Sequence, residues 1–254
     1  REYYDITPAE CCRLLEESDE IPSTAMATPA VFLESYNRAF ERGCTHLIGV
    51  LINGSGSGTY QAACLAKGMF EEEHGEGAMV IEVFDSRTYT YIYGHIVVKA
   101  AEMREQGESF EAITSVIRSR LSRVEAYLGV YTLKYLKKSG RISGGAAFVG
   151  EALGLKPISH VYDGAVKVCD KVRGEKALVA GMSKKVSARV VQPDKQTAIL
   201  LYGDVPAERL DEMEKRLRTE IGFRDVERVV IGPSVLTNTG PLAMAVAYYG
   251  TPRD

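Results

Sequence analysis

Apolar positions along the chain follow two periods, and the changes between them outline the fold. Thr7–Pro8–Ala9–Glu10 supplies a helix cap, a first-turn proline and an acid at the third helical position, and Cys11, Leu14 and Leu15 follow at helical spacing. Ile21–Pro22 ends that helix. Thr28–Pro29–Ala30 opens another, with the stripe Val31, Phe32, Tyr36, Ala39 and Phe40 and a stop at Gly43. Residues 46–52 form a short continuous apolar run, as a buried parallel strand does, and residues 78–84 form a second. Helical patterns lie at 59–67, 88–105 and 109–122, the last two split by Gly107. This strand–helix alternation with short links predicts a parallel sheet covered on both faces.

The second half changes character. Residues 126–133 read as a strand and 133–138 as a helical turn ending at Ser139–Gly140–Arg141. Asp163–Gly164 sits between two β-prone runs, 157–162 and 165–168, which is a hairpin signal. Further strands at 198–202 and 226–231 flank a helix at 206–220. The expected fold class is α/β with two domains. Residues 1–122 are expected to form a parallel sheet flanked by helices, and 123–254 an α+β domain with a mostly antiparallel sheet.

Composition narrows the function. The 254 residues carry a net charge of −3 with no basic run of five, which argues against nucleic acid or an acidic membrane as partner. Cys11, Cys12, Cys44, Cys64 and Cys169 are odd in number and include no C-x-x-C pair, which fits free thiols in a reducing, cytoplasmic setting. His46, His74, His95 and His160 show no metal-ligand spacing, so no metal is expected. No apolar run reaches the length of a membrane span and no signal peptide is seen. The chain opens at Arg1 without methionine, so residues upstream are expected to lie outside it.

The chemistry concentrates at Asn53–Gly54–Ser55–Gly56–Ser57–Gly58, which joins the first strand to the helix at Thr59. A helix start offers free N–H groups and positive potential, and glycines let a ligand approach the backbone. An equally good local reading is a plain turn with Ser57 or Thr59 as helix cap. No lysine follows Gly58, so a P-loop is excluded. The spacing G-x-G-x-G departs from the dinucleotide fingerprint, and Asp85 lies 27 residues beyond Gly58 instead of about 20. A dinucleotide-dependent oxidoreductase using the 54–58 loop, with Asp85 on a ribose, therefore stays open beside a small carboxylate.

Several further segments occur in a recognisable order. They are Thr24 after Pro22, Ser57–Gly58–Thr59–Tyr60–Gln61, Val83–Phe84–Asp85–Ser86 and Leu136–Lys137–Lys138–Ser139–Gly140–Arg141–Ile142. The Asp163–Gly164 turn, Lys171–Val172–Arg173, Ile231–Gly232–Pro233 and Thr239–Gly240–Pro241 complete the series. Over nearly its whole length the chain resembles the DegV family, of the FakB fatty-acid-binding type. The resemblance implies a protein without catalysis or cofactor that holds a long-chain fatty acid between two domains. Some members present it to a fatty acid kinase for phospholipid synthesis. It implies that the hydroxyls of Thr24 and Ser57 and the N–H groups of Ala25 and Gly58 hold the carboxylate, and that Arg141 serves the kinase partner. Where the family has T-S-x-P-[ST], this chain has Thr24–Ala25–Met26–Ala27–Thr28, so only the backbone of Ala25 can donate. Asn238 stands where a histidine is expected and is counted with the ligand-binding residues; it can hydrogen-bond a carboxylate network but cannot exchange a proton near neutral pH. The family's opening strand is also missing from the first domain.

Three smaller expectations remain. The small residues of 144–154 could leave room for an acyl tunnel or permit close helix packing. Cys11 and Cys12, being adjacent in a helix, are expected to be one buried and one partly exposed. Asp85–Ser86 is expected to cap the helix that follows.

Overall fold

A computed structural model describes residues 2–143 and 154–253. The segment 144–153, on which the expected acyl tunnel falls, lies outside the described residues. By its contacts the chain divides into two compact units, one of residues 1–24, 90–92 and 122–254 and the other of 25–89 and 93–121.

The second of these holds α2 (Pro29–Glu41), β1 (His46–Leu51), α3 (Thr59–His74), β2 (Val80–Asp85), all but the first two residues of α4 (Tyr91–Glu105), and α5 (Phe110–Leu121). β1 and β2 pair in parallel from His46–Val80 to Leu51–Asp85, as the two apolar runs predict. α3 buries Ala62, Ala63, Ala66 and Phe70, a helical stripe of mostly small side chains. Phe70 packs with Tyr36, Met79 and Ile81, and Phe40 meets its ring edge-on at 5.5 Å. The Tyr36 hydroxyl donates to the Ala63 carbonyl at 3.2 Å, tying α2 to α3. This packing places the end of β1 directly before the start of α3.

The other unit contains α1 (Pro8–Glu17), β3 (Val124–Val130), α6 (Lys134–Ser139), β4 (Ile142–Ser143), β5 (Leu155–Tyr162), β6 (Ala165–Arg173) and α7 (Glu175–Ser187). β7 (Thr197–Tyr202), α8 (Ala207–Lys215), β8 (Asp225–Val230), α9 (Pro233–Thr239) and β9 (Ala243–Tyr249) complete it. Its sheet has the order β4-β6-β5-β3-β9-β7-β8. Antiparallel pairings join β6, β5, β3, β9 and β7. The outer pairs β4–β6 and β7–β8 are parallel, the latter because α8 intervenes as a crossover. The hairpin turn is as expected, with Asp163 and Gly164 both at positive φ, 49° and 78°. Every residue of β3 is buried. Leu178, Val179, Met182 and Val186 of α7 cover the sheet with Leu200 and Val246. The helix expected at 206–220 is α-helical to Lys215, then π-helical over Arg216–Ile221, and stops at Gly222 with φ 85°.

Residues 1–24 group with the C-terminal half, whereas the pattern placed 1–122 together. The reason is specific contact. The Tyr135 hydroxyl donates to the Leu15 carbonyl at 2.9 Å, Ser234 Oγ donates to Glu2 Oε2 at 2.5 Å, and Lys138 Nζ donates to the Ile21 carbonyl at 2.7 Å. The expectation for the cysteines is corrected here too: Cys11 and Cys12 are both buried, at 4% and 5% exposure. Cys11 Sγ lies 3.8 Å from the Pro233 carbonyl on one flank of α1, and Cys12 faces Asp204 on another. Burial, with the Asp204 carboxylate nearby, pushes the Cys12 thiol up to about 11, which suppresses thiolate chemistry.

Gly203 closes β7 against the loop before β9, donating to the Ala243 carbonyl at 2.9 Å. A Cβ there would collide with the backbone carbonyl of Pro241. Gly203→Ala is expected to lower stability by at least about 1–3 kcal/mol, read from the urea midpoint at unchanged m.

Candidate ligand-binding site

The loop between β1 and α3 is best understood by asking where each backbone N–H goes. Gly54 N–H donates to Asp85 Oδ1 at 3.0 Å. Ser55 N–H donates to Asn53 Oδ1 at 3.2 Å. Gly56 and Ser57 N–H both donate to the Asn53 carbonyl, at 3.0 and 3.1 Å. Thr59 N–H donates to Ser57 Oγ at 3.3 Å. Among the described residues, the N–H groups of Gly58, Tyr60 and Gln61 donate to no protein acceptor. The first turn of a 16-residue helix therefore keeps three donors for something else, with the positive end of the helix dipole behind them.

Ser57 Oγ and Thr59 Oγ1 lie 2.8 Å apart. One hydroxyl proton is shared between them, and the second is left to point outward. Of the two local readings, neither serine nor threonine is a conventional cap: Gly58 holds the N-cap position without a side-chain bond. The loop therefore keeps unused donors at a helix start, as a candidate anion site would. Over it sits Met26, whose sulfur lies where a β-carbon on Gly58 would point, so a side chain there would have to displace it.

The turn after β2 holds this cradle from below. Asp85 Oδ1 also accepts the Arg87 N–H at 2.8 Å. Ser86 Oγ accepts the Thr88 N–H and donates to the Thr88 carbonyl, both at 3.2 Å. Asp85–Ser86 therefore does not cap the next helix; α4 begins only at Tyr91, and both side chains are spent on the intervening turn. Arg87 at φ 52° shows how tightly that turn is wound. Asp85 thus braces two loops through one carboxylate oxygen, Oδ1.

In the other unit, Asn238 on α9 and Arg141 after α6 come together although 97 positions separate them. Arg141 Nη1 donates to Asn238 Oδ1 at 3.3 Å and to the Ser139 carbonyl at 2.8 Å. Asn238 Nδ2 in turn donates to the Ser234 carbonyl at 2.8 Å. Arg141 thus both finishes its own helix end and reaches a second predicted site residue. Thr24 and Ala25 are exposed, in an extended stretch where the chain leaves one unit and enters the other. Thr24 also lines a cavity of about 530 Å³ with Leu14, Leu15, Ile21, Pro22 and Thr237. Among the described residues no His, Cys, Asp and Glu cluster could hold a metal, and no helix is long and apolar enough to cross a membrane.

Sequence reasoning missed Asn53, Asp85 as a brace, and Tyr89. The only hint was a polar residue placed directly after an apolar strand, a position that commonly lies buried at a sheet end.

A family model described as "Uncharacterised protein, DegV family" matches residues 1–251. The chain belongs to the DegV family. A DegV domain-containing protein of Caldanaerobacter subterraneus subsp. tengcongensis is 32% identical over 244 residues, 96% of this chain and 84% of that protein. A fatty-acid-binding DegV family protein from Thermus thermophilus shares the fold with a TM-score of 0.86 at 26% identity, over 99% of this chain and 87% of that one. The Fatty Acid Kinase (Fak) B3 protein of Streptococcus pneumoniae, solved loaded with linoleic acid, has a TM-score of 0.83 at 20% identity, over 98% and 85% of the two chains. The two-unit α/β architecture of this DegV protein, with one small parallel and one larger mixed sheet, is thus that of its family.

Asp85→Ala would strand the N–H groups of Gly54 and Arg87. It is expected to lower stability by about 1–3 kcal/mol in urea denaturation. NAD or NADP added to the wild-type protein is expected to leave the melting temperature unchanged; a clear upward shift would restore the dinucleotide reading.

Proposed function

We propose that this DegV protein binds one long-chain fatty acid and presents its carboxylate to a separate fatty acid kinase that feeds phospholipid synthesis. The observation that carries the reading is the set of undonated N–H groups at Gly58, Tyr60 and Gln61, beside the Ser57–Thr59 hydroxyl pair. A carboxylate is a small monoanion and needs only a few such donors. In this reading Ser57 and Thr24 donate hydroxyl protons to it, and Gly58 and Ala25 donate backbone N–H groups. The fatty-acid-binding relative from Thermus thermophilus supports the ligand class.

The magnitudes divide the labour. Each buried methylene contributes about 0.8 kcal/mol, so ten contribute roughly 8 kcal/mol before the cost of immobilisation. Charge-assisted hydrogen bonds to the headgroup contribute about 1.5–3 kcal/mol each. The tail sets affinity and the headgroup donors set orientation. The protein performs no reaction of its own in this reading; the linked Arg141 and Asn238 mark the surface offered to the kinase. Asn238 can orient a carboxylate network but supplies no proton, so any proton transfer falls to the partner.

Lipid extraction and native mass spectrometry of the purified protein are expected to show a bound long-chain fatty acid. Absence of lipid together with no uptake of oleate or palmitate would overturn the proposal. Ser57→Ala is expected to weaken oleate binding by about 1–3 kcal/mol in calorimetry; an unchanged affinity would reduce Ser57 to a turn residue. Asn238→His is expected to raise kinase-coupled turnover more than it raises oleate affinity.

A further inference from the structure

The Asn53 side chain is 1% exposed, and it hydrogen-bonds both to the loop and to the turn beneath it. Its oxygen accepts both the N–H and the hydroxyl of Ser55, at 3.2 and 3.1 Å. A backbone N–H can only donate, so this fixes the orientation of the amide and turns its NH₂ toward Tyr89. Asn53 Nδ2 donates to the Tyr89 hydroxyl at 2.7 Å. The Asn53 backbone N–H donates to the Thr88 carbonyl at 2.9 Å, clamping the same turn a second time. The phenol also fills the space beside Gly56: a Cβ there would lie 2.5 Å from the Tyr89 oxygen. Tyr89 is thus in contact with the loop at two points, one polar and one steric.

We infer that Asn53 and Tyr89 are a positioning pair for the carboxylate site. The phenol locks the rotamer of the Asn53 amide, the amide holds Ser55, and the Asn53 carbonyl turns the Gly56 and Ser57 N–H groups inward. What remains pointing outward is the donor set that begins at Gly58. The pair touches no ligand itself. It removes the entropy that a glycine-rich loop would otherwise lose on gripping an anion. This inference rests on the fatty-acid reading and extends it to how headgroup selectivity is set.

The test compares oleate with oleyl alcohol, which has the same tail and no carboxylate, on the full chain. Tyr89→Phe keeps the ring beside Gly56 and deletes one hydrogen bond. It is expected to weaken oleate binding about threefold to tenfold and to leave oleyl alcohol within about twofold. Amide hydrogen exchange in peptides covering 54–58 is expected to accelerate at the same time. Ser57→Ala in parallel reports whether the acid-to-alcohol ratio senses the cradle. Equal losses for the two ligands would show that Tyr89 merely supports the fold and would overturn the inference. So would unchanged oleate binding in Tyr89→Phe where Ser57→Ala shows a loss. If the wild-type protein takes up neither ligand, the fatty-acid reading falls first and the positioning role falls with it.

Discussion

A short loop at the mouth of a helix must satisfy its own backbone without using up the helix's free donors, and the rest of the site depends on how that is done. Asn53, Asp85 and Ser57 together take the N–H groups of residues 54 to 57 and of Thr59. The three donors left over, at Gly58, Tyr60 and Gln61, sit at the N-cap and in the first turn of α3, at the positive end of its dipole. A loop without buried acceptors would have donated to water at random, and an anion would have had to organise it on arrival. Glycine is needed where partners press in: Asp85 and Tyr60 crowd Gly54, Tyr89 crowds Gly56 and Met26 crowds Gly58.

The second half of the chain brings its own polar pair to a defined place. α9 is only seven residues long and is held at both ends, by Glu2 through Ser234 and by the β7–β9 junction through Gly203. That fixes Asn238 within reach of Arg141. With asparagine in a histidine's usual place, the pair can hold geometry and charge but cannot pass a proton near neutral pH.

Much of the architecture was legible along the chain. Residues 46–52 and 78–84 are unbroken apolar runs because a parallel strand is buried on both faces, and β1 and β2 lie there. Asp163–Gly164 announced its hairpin because few other dipeptides tolerate two successive positive φ angles. Ser57 and Gly58 stood out because they lie in a glycine loop that opens a helix, and the DegV resemblance gave them their role as carboxylate donors. The roles of Asp85, Tyr89 and Cys12 were not legible. Periodicity says which face of an element is buried, not which other element buries it. α1 looked like a helix with one apolar flank, and two flanks are covered.

The linear order of residues by itself determined most of the elements, the family and the glycine loop that opens a helix. These are local properties of spacing, turn chemistry and capping, written within a few residues of one another. Only the tertiary structure decided that residues 1–24 join the C-terminal half, that Asp85 and Tyr89 contact the loop, and that Arg141 reaches Asn238. Those outcomes hinge on polar groups, buried or only partly so, finding partners 31 to 120 positions away. A desolvated donor accepts whatever acceptor the packing brings to it, and no local pattern records that choice.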